Sequence, residues 1–458
     1  MADNPYQSPK TESTTKPKSP SADAVGEDEP LYNQGYLSLL STQFWGAAND
    51  NILKQSLTFM VATGIWSGRF GMNGLGAGGQ VVPALCLTLP FIFLSGYAGQ
   101  VCDKFNKRDV MFWIKTAEIP IVMLAFVGFY VHNLWLTLAA MLLLAVQSSF
   151  FGPAKYGVLP EIVAEKNLSM ANGIVNMLTN IAVIVGSLLA GPLCDMFDPK
   201  EAAETGLNWA PGGAMLFVAV AGFVSVLCFP KMKASSPDLK FDFNPFTTYI
   251  ESFSEMRKGP LLAVVFAWAG FYMIAMISLL ILPEYEAILA ITYTQTSYLM
   301  GILGVAIAIG SVITGVISGE EIRPWLIPVG AGGMSVAFLL LGALTPSYMM
   351  VSGLIFVAGF FAGFYIVPLQ ALIQVLSPVE ERGRIIGTAG AISFCFSSIG
   401  PLIFWIANNP LGIDANRIFL VCGVLSTIGT IYGSIKLSKI MEFRAAANSQ
   451  SDEGSSAK

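Results

Sequence analysis

Long runs of apolar residues recur along most of the chain, from about residue 36 to about residue 437. Many of them reach the ~20 residues that an α-helix needs to cross a bilayer. Because lipid cannot satisfy the polar groups of the backbone, runs of this length predict helices. The pattern predicts twelve spans, at 36–63, 80–101, 110–131, 135–152, 170–192, 213–230, 261–283, 296–318, 325–344, 348–370, 385–407 and 417–437.

The composition agrees with a polytopic membrane protein. Hydrophobic residues make up 54% of the 458 residues and charged residues only 12%, about half of the ~25% found in soluble domains. The six cysteines are scattered without a CxxC pair, which predicts apolar packing positions rather than a disulfide or metal framework. We therefore expect no metal, no cofactor and no nucleic-acid partner.

Lysine and arginine are distributed unequally between the two sides of the predicted spans. With both termini inside, 20 of the 25 basic residues lie in cytoplasmic segments, whereas only Arg69, Lys200 and Arg417 lie outside. This bias predicts cytoplasmic termini and an even number of spans.

The chain shows signs of an internal duplication. Gly99 and Gly315 are 216 positions apart, and Pro153 and Pro368, at the predicted ends of the fourth and tenth spans, are 215 apart. An offset that is even in span number predicts two six-helix halves in the same orientation, the arrangement of the major facilitator fold, with a binding site between them at mid-depth. The fold class predicted is therefore an all-α polytopic membrane protein with twelve transmembrane helices in two parallel repeats.

The same pattern predicts the domain organisation. The first 30 residues are rich in Pro, Ser, Thr and Lys and lack the apolar segment of a secretory signal. We expect a disordered cytoplasmic tail over 1–35, a six-helix bundle over 36–230, a cytoplasmic linker with an interfacial helix over 231–260, a second six-helix bundle over 261–437 and a second disordered tail over 438–458.

A polar stripe runs along the first predicted span. Asp50 lies near mid-depth, and Gln43, Gly46 and Lys54 share its helical face. Ionisable residues within a membrane usually face the bundle interior or a wet cavity and mark the path of a substrate or ion. The stripe therefore predicts substrate-binding residues.

The third and fourth spans carry further charges. Lys115 and Glu118 are one turn apart, and Lys155 follows a predicted helix break at Gly152–Pro153. An alternative stays open, in which Asp50–Lys54 and Lys115–Glu118 are structural pairs along their own helices. The predicted substrate-binding set is Asn49, Asp50, Asn51, Lys54, Lys115, Glu118, Lys155 and Tyr156.

The two halves differ in charge. Shifted by the repeat offset, all five ionisable residues of this set fall on uncharged positions, which are Phe266, Gly270, Ala331, Met334 and Gln370. A charged half that faces an apolar half suits an amphipathic substrate, with its head against the first half and its hydrocarbon tail against the second.

The loop after the second span, "GQVCDKFNKR", fits the major facilitator pattern G-x-x-x-D-[RK]-x-G-[RK]-[RK] except at Asn106. The pattern predicts a cytoplasmic gate rather than a substrate site; the alternative is a plain positively charged turn. The predicted gating residues are Gly99, Asp103, Lys104, Lys107 and Arg108.

Three stretches, "AANDNILKQSL", "LPFIFLSGYAGQVCDKFNKRDVMFWIKTAEI" and "QSSFFGPAKYGVLPEIV", together resemble the bacterial lysophospholipid transporter family of the major facilitator superfamily. The match is dense over about 36–195. The resemblance implies transport of lysophospholipid, chiefly lysophosphatidylethanolamine, from the outer to the inner leaflet of the bacterial inner membrane. On that reading Asp50 and Glu118 meet the ammonium group, and Lys115 or Lys155 the phosphate.

Some members of that family are fused to an acyltransferase. Here the H-x-x-x-x-D motif of acyltransferases is missing at His132, the only histidine. We therefore expect a monomeric transporter and not an enzyme, with any acyltransferase a separate partner. A proton-coupled exporter of drugs or small metabolites, with Asp50 or Glu118 as the titrating carboxylate, is the alternative; a membrane enzyme or scaffold is disfavoured by the missing motifs.

Overall fold

The computed structural model describes residues 30–64, 75, 78–164, 167–198, 206–230, 247–318, 323–344, 347–377 and 382–431. Within these ranges the chain is helical, with no strand. The first half contains α1 Gln34–Ala62, α2 Val81–Lys104, α3 Lys107–Tyr130, α4 Leu134–Ile162, α5 Leu168–Phe197 and α6 Ala210–Leu227, followed by the linker helix α7 Thr247–Met256. The second half contains α8 Leu261–Ile281, α9 Tyr293–Ser318, α10 Leu326–Ala343, α11 Tyr348–Leu376, α12 Arg382–Asn408 and α13, described over 418–431. Shorter elements are the 3₁₀ turns Leu282–Glu284 and Ala415–Arg417 and the helix Tyr285–Leu289.

Eleven of the twelve predicted spans coincide with a helix of at least 18 residues, and the described part of the twelfth is helical over 418–431. Among the described residues, nine helices are individually long and apolar enough to cross a membrane. The other three are α1, α2 and the described part of α13. In α1 the polar stripe around Asp50 lowers the hydropathy, although the helix runs unbroken over 29 residues.

Asparagine side chains cap the N-termini of several of these helices. Asn33 accepts a hydrogen bond from the backbone N–H of Tyr36 at the start of α1, and Asn133 does the same at α4. Asn106 caps α3 by accepting from the N–H of Arg108 over 3.0 Å. The one departure from the major facilitator loop pattern is therefore a helix cap, a position that asparagine favours.

The prediction that Pro153 and Pro368 end their spans is wrong. Both lie inside 29-residue helices, α4 and α11, which begin at Leu134 and Tyr348, 214 positions apart. Membrane helices tolerate proline because neighbouring helices and local adjustments satisfy the freed backbone groups. Lys155 therefore follows Pro153 within one continuous helix rather than after a break.

The two halves repeat the same packing. In the first half α1 packs on α5, and α4 packs on both α2 and α3; in the second α8 packs on α12, and α11 packs on both α9 and α10. Between the halves α5 packs on α9, and α2 packs on α12. Exchanging the halves exchanges these two contacts, as a two-fold axis between parallel repeats requires. The predicted pair of parallel six-helix repeats is confirmed.

Glycines bring α9 and α11 close together. A Cβ on Gly310 of α9 would lie 2.0 Å from the carbonyl oxygen of Phe360, and one on Gly363 of α11 would lie 2.4 Å from the backbone nitrogen of Ser311. Membrane helices associate through small residues of this kind because apolar side chains gain little by leaving lipid.

The linker helix α7 packs on α8 and α12. Phe253 contacts the ring of Phe266 on α8, with centroids 6.4 Å apart, while Ile250 is 67% exposed. The predicted helix is therefore present, and its contact with the membrane surface stays a prediction.

The two ends of the bundle are named by the helices that join there. The outer face is the end where α1 joins α2, and the inner face is the end where α2 joins α3. The charge pattern predicts that the outer face lies outside the cell and the inner face in the cytoplasm.

Candidate functional site

Asp50 of α1 contacts α4 near the middle of the bundle. The hydroxyl of Ser148 donates a hydrogen bond to Asp50 Oδ2 over 2.7 Å. The other oxygen, Oδ1, is buried and has no hydrogen-bond partner among the residues that the structure describes. In the described part of the chain, no lysine or arginine nitrogen lies within 4.0 Å of this carboxylate. The structural pair Asp50–Lys54, one of the alternatives from the sequence, is not formed.

Lys54 lies one turn further toward the outer face. Its Nζ donates to Asn51 Oδ1 over 2.8 Å, and the Asn51 amide in turn donates to the carbonyl of Ala47 over 2.8 Å. This local chain of hydrogen bonds holds the ammonium group of Lys54 in place, and no carboxylate of the described residues lies within 4.0 Å of it.

A cavity of about 290 Å³ lies between the halves, and Lys54 lines one of its walls. Gln55 of α1 also lines it, and the Gln55 Nε2 is buried without a hydrogen-bond partner. The walls from the second half are largely apolar, with Phe271, Met300 and Phe338 among the lining residues. The cavity is therefore polar at α1, where Lys54 and Gln55 lie, and largely apolar along the walls from the second half.

Lys115 and Glu118 of α3 form the other predicted structural pair. Their side chains meet at 2.6 Å and are each 2% exposed. Asn49 donates to Glu118 Oε1 over 2.8 Å. A Cβ on Gly46 would lie 2.5 Å from Lys115 Nζ, so the glycine of the α1 stripe leaves room for this ammonium group.

Two residues of α4 that the sequence analysis missed join these groups. Gln147 Nε2 donates to Glu118 Oε2 over 3.4 Å, and the Ser148 hydroxyl lies 3.1 Å from Gln147 Oε1. Two consecutive residues of α4 therefore hold these groups: Ser148 bonds to Asp50, and Gln147 bonds to Glu118 of the buried ion pair. The sequence feature that could have revealed them is the run Gln147-Ser148-Ser149, three polar residues within an otherwise apolar stretch.

Lys155 and Tyr156 lie apart from this network, toward the inner face. The Lys155 ammonium is 4.5 Å from the centre of the Tyr156 ring. The Tyr156 hydroxyl donates to Asn176 Oδ1 on α5 over 2.7 Å. The predicted site residues thus form two groups, one around Asp50 and one around Lys155.

The predicted gating residues connect the inner ends of α2, α3 and α4. Lys107 is buried and pairs with Glu161 of α4, while Arg108 bonds to Asp109 over 3.1 Å. Lys104 is the last residue of α2, and a Cβ on Gly99 would meet no atom within 4 Å. The side chain of Asp103 lies outside the described residues.

At the outer face the two halves are joined by hydrogen bonds. Asp195, at the end of α5, accepts from the backbone N–H groups of Tyr293 and Thr294 over 3.0 and 2.9 Å, at the start of α9. Gln80 donates to Glu284 over 2.6 Å beside them. These contacts hold the two halves together at the outer face.

The family model described as the Major Facilitator Superfamily matches residues 52–401 and 271–449. The chain belongs to the major facilitator superfamily. It is 26% identical to the lysophospholipid transporter LplT of Cronobacter sakazakii over 393 residues, 81% of this chain and 86% of that protein. LplT of Klebsiella pneumoniae subsp. pneumoniae is 26% identical over 385 residues, 81% of this chain and 87% of that protein. The resemblance predicted from the motifs is confirmed.

Similarity also extends to a relative without an assigned substrate and to solved structures. The uncharacterised MFS-type transporter YfiS of Bacillus subtilis is 25% identical over 445 residues, 93% of this chain and 99% of that one. A bacterial homologue of the human lysosomal transporter Spinster, inward-facing and unoccupied, superposes with a TM-score of 0.65 at 12% identity, covering 88% of this chain and 97% of that one. A POT family transporter in complex with 5-aminolevulinic acid gives 0.66 at 12% identity, covering 88% and 95%. These structures confirm the major facilitator fold.

Proposed function

We propose that this chain moves lysophospholipid, chiefly lysophosphatidylethanolamine, from the outer to the inner leaflet of the bacterial inner membrane by alternating access. One observation carries the proposal. Asp50 and Lys54 are opposite charges one turn apart that do not pair with each other, and Lys54 lines a cavity whose remaining walls are largely apolar. The similarity to proteins described as lysophospholipid transporters supports the same substrate class.

The headgroup chemistry follows from these two charges. The ammonium group of the substrate binds the free oxygen of Asp50, and its phosphate binds the ammonium group of Lys54. One helical turn separates the two residues by about 5–6 Å along the axis, a span that a short zwitterion reaches. Asn51 orients Lys54, so the site is organised before the lipid arrives.

Lys115 and Glu118 act on this site indirectly. Their charges already neutralise each other in a pocket that is almost fully buried. We assign them, with Asn49 and Gln147, the role of fixing α3 and α4 against α1, which holds Ser148 beside Asp50. A direct contact of Lys115 or Glu118 with the headgroup is the competing interpretation.

The acyl chain occupies the apolar part of the cavity. Hydrocarbon loses its contact with water there, and the second half supplies no charge to the lining. Closure of the outer face by Asp195 fits a state in which the substrate leaves toward the inner face. The reacylation that follows on the inner leaflet is assigned to a separate acyltransferase.

Uptake of fluorescent lysophosphatidylethanolamine into spheroplasts tests this function. The native chain is compared with Asp50→Asn, with an empty vector, and with Asp414→Asn, which removes an exposed carboxylate paired with Arg417. We expect uptake by the native chain and by Asp414→Asn, and loss of uptake in Asp50→Asn at equal membrane levels. No uptake by the folded native chain would reject the proposal and favour a proton-coupled exporter, for which a drug-efflux screen is the next experiment.

A further inference from the structure

Lys155 lies on the side of α4 that faces Asp50. Ser148, which contacts Asp50, precedes Lys155 by seven residues. Seven residues make almost two full turns and about 10 Å of helix. Lys155 therefore continues the Ser148 face of α4 toward the inner face of the bundle. On the antiparallel helix α1, Gln43 precedes Asp50 by the same number of residues and lies at a similar depth.

The Lys155 side chain is a buried cation that pairs with no carboxylate of the described residues. The residue is only 7% exposed, and no carboxylate of the described residues lies within 4.0 Å of its Nζ. Its ammonium group lies over the ring of Tyr156, 4.5 Å from the ring centre. A buried charge in a membrane segment is costly unless it is paired. An anionic ligand would supply the missing charge.

The groups around Lys155 favour an anion. The hydroxyl of Tyr156 bonds to Asn176 Oδ1, which leaves the Asn176 amino group as a donor. Tyr156 is 45% exposed and Asn176 is exposed, although both belong to membrane-spanning helices. Lys155 is itself an ionisable residue of a membrane-spanning helix, and such residues usually face the bundle interior or a water-filled cavity. At the same level the Gln43 amide donates a hydrogen bond to the Thr179 hydroxyl over 2.9 Å.

We propose that Lys155, Tyr156 and Asn176 form a second anion-binding site, here the inner site, which takes the phosphate of a lysophospholipid after it leaves Asp50 and Lys54. This inference rests on the proposed function. The inner site contains no carboxylate among its three residues, so it does not require an ammonium group on the ligand. It follows that a lysophospholipid with a purely anionic head depends on Lys155 but not on Asp50.

Binding to the purified full-length chain in phosphatidylcholine nanodiscs tests the inner site. The ligands are lysophosphatidylethanolamine, lysophosphatidylglycerol and inorganic phosphate. We expect Lys155→Gln to bind both lysolipids about ten-fold more weakly, the loss typical of one charge-assisted hydrogen bond. Lys155→Arg keeps the charge and binds nearly as the native chain does. Asp50→Asn weakens binding of lysophosphatidylethanolamine alone, and the exposed-lysine control Lys258→Gln changes neither.

Three results would overturn the inference, and they differ from one another. Native affinity for lysophosphatidylglycerol in Lys155→Gln would remove the inner site and leave the Asp50–Lys54 site intact. Failure of the native chain to bind either lysolipid would reject the proposed function together with the inner site. Competition by inorganic phosphate at concentrations similar to those of the lysolipids would assign Lys155 to a soluble anion instead of a lipid headgroup.

Discussion

Ser148 donates a hydrogen bond to Asp50 over 2.7 Å, and the two residues are 98 positions apart in the chain. This contact fixes the mid-depth carboxylate of α1 against α4, and its second oxygen is buried with no partner in the described part of the chain. A buried carboxylate that receives one neutral hydrogen bond and no ion pair is costly. On the proposed function, the cationic head of the substrate supplies the missing charge.

Replacing Ser148 by alanine should weaken transport less than replacing Asp50. Ser148→Ala removes one neutral hydrogen bond, about 1 kcal/mol, so we expect uptake of lysophosphatidylethanolamine to fall a few-fold. Asp50→Asn removes the charge that meets the ammonium group and should cost ten-fold or more, on the order of 1.5–3 kcal/mol. Initial uptake rates at matched protein levels measure both. Equal losses in the two variants would show that Ser148, rather than the charge on Asp50, carries binding.

The ion pair of Lys115 and Glu118 should act mainly on stability. Glu118→Gln leaves a buried ammonium group uncompensated, at a cost of about 3–5 kcal/mol. Thermal unfolding in detergent should therefore shift to clearly lower temperature. The double variant Lys115→Met with Glu118→Gln also removes the uncompensated ammonium group, so it should recover most of the lost thermal stability. If the single variant kept its stability and lost only transport, the headgroup contact predicted from the sequence would be favoured.

Two glycines of α9 should respond differently to alanine. A Cβ at Gly310 would lie 2.0 Å from a backbone oxygen of α11, whereas a Cβ at Gly315 would meet nothing within 4 Å. We expect Gly310→Ala to separate the two helices and reduce the yield of folded protein, since the obstructing atom is backbone. Gly315→Ala, on the same helix, serves as the matched control and should fold normally, as size-exclusion chromatography can check. Normal folding of both variants would contradict the close approach of α9 and α11.

Asp195 should control access from the outer face. Asp195→Ala removes the acceptor for two N–H groups at the start of α9, so the closed state loses stability relative to an outward-open state. A membrane-impermeant thiol reagent applied outside should then label Ser187→Cys, a cavity position, faster than it does with Asp195 present. The native cysteines are replaced in both chains for this comparison. An unchanged labelling rate would show that the outer closure depends on other contacts.

The sequence alone determined the number and places of the spans, the parallel repeat and the helices that carry charge. The spans are a local property, since the length of an apolar run and its hydropathy are set by consecutive residues. The repeat is visible as a nearly constant offset along the same sequence. The region of Asp50 and Lys54 was found for the same reason, because an ionisable residue stands out against an apolar run. The end of the fourth span was misplaced at Pro153, since only neighbouring helices determine whether a helix continues past a proline.

Only the tertiary structure decided how the charges are partnered. Spacing along a helix allows Asp50–Lys54 and Lys115–Glu118 equally, yet one pair is formed and the other is not. The difference comes from residues distant in sequence. Ser148 on α4 draws Asp50 away from its own helix, whereas the packing of α1 and α4 around Glu118 encloses it with Lys115. Burial and hydrogen bonding between helices depend on the assembled bundle, so no pattern within a single helix could reveal them.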